Sequence, residues 1–95
     1  MTTLYILHSK KLDRYYIGET HHLNTRLDRH NSHTYTKNFT KIAEDWTVVL
    51  SFEHPSRTTI LRLERFIKNM KSKVFIKKII DNPSLLNAII ENKGF

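Results

Sequence analysis

An arginine and a histidine in this sequence have the chemistry needed to act on a phosphodiester bond. Arg26 and His30 are four residues apart, so they share one face if this segment is helical. The planar guanidinium of Arg26 could hold a phosphate and stabilise charge that develops on it. The imidazole of His30 has an ordinary pKa that suits a general base near neutral pH. In a chain with sixteen basic residues, however, a solvated helix charge is the usual interpretation of such an arginine.

Glu64 is the carboxylate with the clearest choice between two roles. Lys68 follows it by four residues, a spacing that allows a helix-surface ion pair worth about 0.3–0.5 kcal/mol. A carboxylate is also a ligand that Mg²⁺ prefers, with waters and substrate phosphate filling the remaining positions. Glu64 lies one turn from Ile60 and Ile67, beside the predicted core face, which would shield and orient it. Spacing alone favours the surface ion pair.

Tyr5 and Tyr16 lie in short runs of aromatic and β-branched residues on either side of a polar stretch. Such a pattern predicts a β-hairpin, in which both could be ordinary strand aromatics. A phenol has an ordinary pKa of about 10 and is a poor base unless a nearby metal or cation lowers that value. Gly18 follows Tyr16 and indicates either a close approach of another group or a turn of the backbone beside the site.

Clustered histidines offer a second kind of metal site, because imidazole is a good Zn²⁺ ligand. The cluster consists of His21, His22, His30 and His33. Adjacent His21 and His22 would project in different directions, and the chain has no cysteine to complete a finger-like site. We therefore interpret His21, His22 and His33 as polar surface groups near the path of a phosphate backbone. The lack of cysteine also excludes disulfides.

The charge balance indicates an anionic partner. Sixteen Lys and Arg residues against nine Asp and Glu give a formal net charge of +7. Such a field attracts polyanions, of which nucleic acid is the commonest, although charge alone fits a basic domain without a specific partner equally well. Lys37 and Lys41 are candidate DNA contacts in a polar loop from Ser32 to Glu44. A dense basic run after Glu64 could contact the DNA backbone without reading sequence: Lys68, Lys71, Lys73, Lys77 and Lys78.

Ninety-five residues allow one domain with a single core. Apolar periodicity predicts strands over 4–7, 15–18 and 46–52, and helices over 23–31, from Ser56 or Thr58 to Met70, over 74–80 and over 85–90. The order β-β-α-β-α-α-α predicts an α+β sandwich. In the helix that carries Glu64, four residues recur at helical spacing and are predicted to face the core: Ile60, Leu63, Ile67 and Met70. A main domain over 1–80 is expected, with a helical extension over 81–95 packed on it.

Several of these segments, taken in order, resemble the motifs of the GIY-YIG nuclease family. Leu4-Tyr5-Ile6 and Tyr16-Ile17-Gly18 are similar to its two strand motifs, with Thr3 where the first glycine would stand. The stretch from Gly18 through Arg26 to His30 and Asn31 resembles its strand-to-helix signature. Tyr35-Thr36-Lys37 resembles its tyrosine-threonine-basic element, and Leu61-Arg62-Leu63-Glu64 with Lys68 resembles the helix of its metal-binding glutamate. The resemblance covers residues 2 to 80.

The resemblance implies an α+β fold whose three-stranded, mainly antiparallel sheet is flanked by helices. It also implies an endonuclease that hydrolyses DNA with Mg²⁺ or Mn²⁺ bound by Glu64, while Arg26 clamps the scissile phosphate. Tyr5 or His30 would accept the proton of the attacking water, and the choice between them stays open. Tyr16 would orient the water or the phosphate by hydrogen bonding.

DNA is the expected partner, and DNA repair is an expected setting. Cutting would depend on DNA shape or on a targeting protein, because a chain of this size leaves no separate DNA-reading domain. Two alternatives stay open: a nucleic-acid binder that keeps the fold without turnover, and an interaction module that meets an acidic protein. The N-terminus lacks both a signal-peptide core and the about 20 apolar residues of a membrane span, so a soluble cytoplasmic protein is expected.

Overall fold

A computed structural model describes residues 1–22 and 44–95, which form a three-stranded sheet followed by three helices. The strands are β1 (Thr2–Ser9), β2 (Arg14–Thr20) and β3 (Thr47–His54). The helices are α1 (Arg57–Met70), α2 (Lys73–Asp81) and α3 (Ser84–Lys93). The helix predicted over 23–31 and nearly all of the loop predicted from Ser32 to Glu44 lie outside the described residues.

The sheet has the order β2-β1-β3, and β1 is antiparallel to both neighbours. The predicted hairpin, the antiparallel sheet and the α+β class are thereby confirmed. Alternate residues of β1 face opposite sides of the sheet. Leu4 and Ile6 enter the core beneath the helices, whereas Tyr5 and Leu7 join a second buried cluster around Trp46. The central strand therefore separates a helix-covered core from the face that carries Tyr5.

Helix α1 lies on the Leu4 side of the sheet and carries the predicted glutamate. Its N-cap is Ser56, whose hydroxyl accepts a hydrogen bond from the Thr59 amide. Ile60, Leu63 and Ile67 are buried on its sheet-facing side, as their spacing predicts. The prediction that Met70 faces the core was wrong, because α1 ends at this residue and its side chain is 45% exposed.

Helices α2 and α3 complete the same core. Ser72 caps α2 through a hydrogen bond from the Phe75 amide, and Gly94 ends α3 with a φ of 70°. Ile79 and Leu86 are fully buried in the cluster beneath α1. None of the helices in the described part of the chain is both long and apolar enough to cross a membrane.

Candidate functional site

Tyr5 and Tyr16 lie close together because of the hairpin register. Tyr5 is opposite Gly18 and Tyr16 is opposite Leu7, so the tyrosines are diagonal neighbours across β1 and β2. Their ring centroids are 6.3 Å apart and their planes are tilted by 34°. Tyr5 has no exposed surface, whereas Tyr16 is half-buried and lines a pocket. Of the two tyrosines, Tyr16 is therefore the one with exposed surface, and its ring packs with Tyr5 in the cluster around Trp46.

Gly18 provides the space in which the Tyr5 ring lies. A Cβ built at Gly18 would be 2.5 Å from Tyr5 Oη, 2.6 Å from its Cζ and 3.1 Å from Tyr16 Cε1. The close approach expected at this glycine is therefore made by a side chain. The expected turn of the backbone was wrong, because β2 continues as a strand through Gly18 to Thr20.

Glu64 has two oxygens in different surroundings. Oε1 accepts a hydrogen bond from Lys68 Nζ at 2.7 Å, so the i, i+4 ion pair forms. Oε2 is buried and accepts no hydrogen bond from the residues that the structure describes. The side chain is only 17% exposed, against 49% for Lys68. A buried carboxylate oxygen without a donor is unfavourable, and a cation is one of the groups that would satisfy it.

The surroundings of Glu64 fit Mg²⁺ or Mn²⁺ better than a closed structural zinc site. Within residues 1–22 and 44–95, no group of three or more His, Cys, Asp or Glu side chains could hold a metal ion. Mg²⁺ uses one or two carboxylates and keeps several waters, so a single glutamate is a sufficient protein ligand. A cavity of about 330 Å³ opens beside Glu64 and is bordered by Arg65 and Lys68. That cavity offers room for waters and a phosphate.

Lys68 connects Glu64 with the pocket that Tyr16 lines. Its Nζ donates to Glu64, and it also borders a pocket of about 500 Å³ together with Tyr16 and Lys71. Lys68 thus connects Glu64 to a pocket that Lys71 also lines. The Tyr16 ring, in contrast, packs with Tyr5 on the other face of the sheet. Arg65 was missed by sequence reasoning, because nothing in its type or spacing distinguishes it from the other basic residues.

Four predicted site residues lie outside the described part of the chain, and their roles stay predictions. They are Arg26, His30, Lys37 and Lys41. Of the four clustered histidines, His30 and His33 lie outside it as well. His21 Nδ1 is 2.9 Å from the Met1 carbonyl oxygen, and His22, two residues after the end of β2, is exposed.

Two aspartates that sequence reasoning missed stabilise the turn between β1 and β2. Asp13, at a φ of 49°, is 3.2 Å from His8 Nε2 and also accepts from Lys73 Nζ, so its pKa lies below the usual value. Lys73 Nζ donates to the Asp13 carbonyl as well, at 2.5 Å. These contacts join the turn to the start of α2. An aspartate in a polar loop was the available sequence signal, but its partner in α2 is 60 residues away.

Asp45 connects the same β1–β2 turn to the segment before β3. The hydroxyl of buried Ser9 donates to Asp45 Oδ1 at 2.6 Å, and the Lys11 amide donates to Oδ2 at 3.0 Å. These two hydrogen bonds hold the pKa of Asp45 below its usual value, and the bond from Ser9 has the larger effect. The Ser9 hydroxyl also accepts from the Leu12 amide at 3.2 Å.

Comparison with known proteins agrees with the motifs of the sequence. A family model described as the GIY-YIG catalytic domain matches residues 1–79, which is most of the chain and includes every predicted catalytic residue. No curated protein and no solved structure gives a significant match.

Proposed function

The chain belongs to the GIY-YIG family of nucleases, and on that premise we propose that it is a metal-dependent endonuclease that hydrolyses DNA phosphodiester bonds. Family membership supports a nuclease that acts on DNA. The metal dependence is proposed from one observation, the buried Oε2 of Glu64 that has no donor among the described residues. The net charge of +7 agrees with a polyanionic substrate.

Glu64 would hold Mg²⁺ or Mn²⁺ through Oε2. The chemistry supplied by a bound cation is polarisation of the scissile phosphate and neutralisation of charge on the leaving oxygen. Lys68 holds Oε1 and so fixes the direction in which Oε2 points. Arg65, which borders the same cavity, would contact a phosphate oxygen there. Arg26 is proposed as the clamp on the scissile phosphate.

Burial distinguishes the two tyrosines as candidate proton acceptors. A general base must reach the water that it deprotonates, directly or through one intervening water. Tyr5 has no exposed surface, whereas the neighbouring Tyr16 is only half-buried. We therefore assign contact with the water or phosphate to Tyr16, and to Tyr5 the positioning of Tyr16 and of the β2 backbone at Gly18. His30 is then the preferred candidate for the base.

Substrate choice would follow from DNA shape or from a targeting protein. Lys68 and Lys71 border the pocket beside Tyr16, and Lys37 and Lys41 are proposed as further backbone contacts. Contacts of this kind position DNA without reading its sequence. Discrimination among duplex, flapped and branched DNA would therefore come from the path of the backbone.

The test compares wild type with Glu64→Gln, which keeps the side-chain volume and removes the charge. With Mg²⁺ or Mn²⁺ and a panel of duplex, flapped and branched DNA, the variant should cut about 100- to 1,000-fold more slowly, the loss typical of removing one charge-stabilising group. Calorimetric titration with Mn²⁺ should show binding to wild type and none to the variant. Glu91→Gln, at an exposed position of α3, is the matched control and should behave as wild type. Equal cutting and equal Mn²⁺ binding by wild type and Glu64→Gln would refute the metal assignment.

The Lys68–Glu64 ion pair supports a second candidate, a nucleic-acid binder without turnover. In that case Lys68 alone neutralises Glu64, and no cation is required. The expected result is salt-sensitive DNA affinity in wild type, with no metal-dependent cutting of any substrate in the panel. Cutting that requires Mg²⁺ would exclude this candidate.

A further inference from the structure

The pocket beside Tyr16 has an apolar interior between the edge of the sheet and the helices. It lies where β2 faces the junction of α1 and α2, and its volume is about 500 Å³. Ile17 and Ile67 are buried side chains of its lining, and Ile76 and Tyr15 are partly buried ones. This interior is larger than the coordination of a single phosphate requires, and its lining suits an apolar or aromatic group.

The mouth of the same pocket is basic. The exposed residues of its lining include Arg14, Lys68, Lys71 and Lys73, and none of the described lining residues is acidic. Two of these cations are fixed by carboxylates outside the lining, Lys68 by Glu64 and Lys73 by Asp13. Charges fixed before a ligand arrives lose less conformational entropy on binding.

We propose that this pocket binds an unpaired nucleotide next to the scissile phosphate. An unpaired base presents an apolar face to the isoleucines and Tyr15, while its backbone phosphates meet the basic mouth. A paired base in a duplex is stacked inside the helix and cannot enter the pocket. The choice of DNA as ligand rests on the proposed function. Lys68 lines the pocket and bonds to Glu64, so a nucleotide bound there is adjacent to the proposed metal ligand.

The charge of the mouth favours a nucleic acid over a peptide. Because β2 is an edge of the described sheet, a peptide strand could in principle pair with it. Such pairing is formed by main-chain hydrogen bonds. It would leave the four cations and the apolar interior of the pocket without a matching ligand group. A nucleotide uses both features.

The experiment measures DNA binding in the presence of EDTA, so that cutting does not interfere. The probes are a fluorescein-labelled duplex, the same duplex with a short single-stranded gap, and the labelled single strand. Wild type should bind the gapped duplex and the single strand about 5- to 100-fold more tightly than the intact duplex, as stacking of one base allows. Ile76→Gln, whose volume is similar but whose side chain is polar, should lower that preference by about 5-fold or more, because it removes apolar surface that would contact the base.

A pair of lysine variants tests the same proposal if Ile76→Gln does not fold. Lys71→Gln removes a charge at the mouth, and Lys77→Gln removes one from an exposed position of α2 that does not line the pocket. Lys71→Gln should weaken binding of the single strand more than Lys77→Gln does. Equal effects of the two variants would contradict the proposal.

Failure of this proposal can be distinguished from failure of the proposed function. If Ile76→Gln keeps the full preference for gapped DNA, the unpaired nucleotide binds elsewhere and the proposal is overturned. That result is compatible with wild-type cutting. Conversely, a preference that Ile76→Gln lowers, in a protein that cuts no DNA with Mg²⁺, would support the pocket and refute the nuclease activity.

Discussion

At the scale of single residues, the sequence predicts only part of the surroundings of Glu64 and Gly18. The i, i+4 spacing of Glu64 and Lys68 predicts their ion pair, which forms at 2.7 Å. The burial of the second Glu64 oxygen depends on how closely α1 packs against its surroundings. Spacing along one helix carries no information about that packing, so the sequence left the surface and metal-binding interpretations open.

Gly18→Ala should destabilise the protein because its new methyl group would overlap the Tyr5 ring. The Cβ would lie 2.5 Å from Tyr5 Oη, and Tyr5 is fully buried in the central strand and cannot move aside. Overpacking of this kind typically costs about 1–3 kcal/mol. Thermal unfolding followed by circular dichroism should show a Tm lower by about 4 °C or more. The near-ultraviolet signal of the tyrosines should change as well.

Gly94→Ala is the control for this prediction. Gly94 has a φ of 70°, and a Cβ there meets nothing within 4 Å, so the cost of the substitution comes from the backbone alone, about 1–2 kcal/mol. It should leave the tyrosine signal unchanged. A Gly18→Ala protein with the tyrosine spectrum and Tm of wild type would show that the Tyr5 ring does not need the space at Gly18.

At the scale of secondary-structure elements, the β1–β2 turn is stabilised by residues distant in sequence. Ser9 and Lys11 contact Asp45, and the Asp13 carbonyl accepts from Lys73. The hairpin itself was predictable from two β-prone runs and a polar loop, although the strands extend beyond the predicted ranges. The contacts to Asp45 and Lys73 were not, because they join residues 34 to 60 positions apart.

Asp45→Asn should remove part of the acid sensitivity of the fold. The pKa of Asp45 is lowered in the folded protein, first by the Ser9 hydroxyl and then by the Lys11 amide. Its contribution to stability is therefore present above the unfolded value of 3.8 and is lost as pH falls through the lower folded pKa. Wild type should have the higher Tm near neutral pH, and the difference from Asp45→Asn should shrink as pH falls below about 4.

The control for the pH experiment is Glu53→Gln, an exposed position of β3. Its Tm difference from wild type should change less with pH than that of Asp45→Asn. A constant difference between wild type and Asp45→Asn from neutral pH to about pH 3 would contradict the role of the Ser9–Asp45 hydrogen bond.

At the scale of the whole molecule, the hydrophobic core extends beyond the family match. The match ends at residue 79, whereas Leu86 in α3 is fully buried in the cluster that contains Ile60 and Leu63. The Thr59 hydroxyl also donates to the Phe95 carbonyl at 2.8 Å, which connects α1 to the end of the chain. The amphipathic pattern after Pro83 predicted a helix, but it could not identify which surface this helix covers.

Leu86→Ala tests whether α3 is part of the folding unit. Removing a fully buried leucine typically costs about 2–5 kcal/mol, a large fraction of the about 5–15 kcal/mol that stabilises a domain. For a chain of this length the Tm should fall by about 8 °C or more in a single transition. Val74→Ala is the matched control, because Val74 is 78% exposed and its loss should shift the Tm by less than about 4 °C. If Leu86→Ala has the Tm of wild type, burial of the Leu86 side chain does not contribute to the stability of the core. A loss of DNA cutting in Leu86→Ala only above its lowered Tm would show that α3 serves the proposed nuclease site through stability alone.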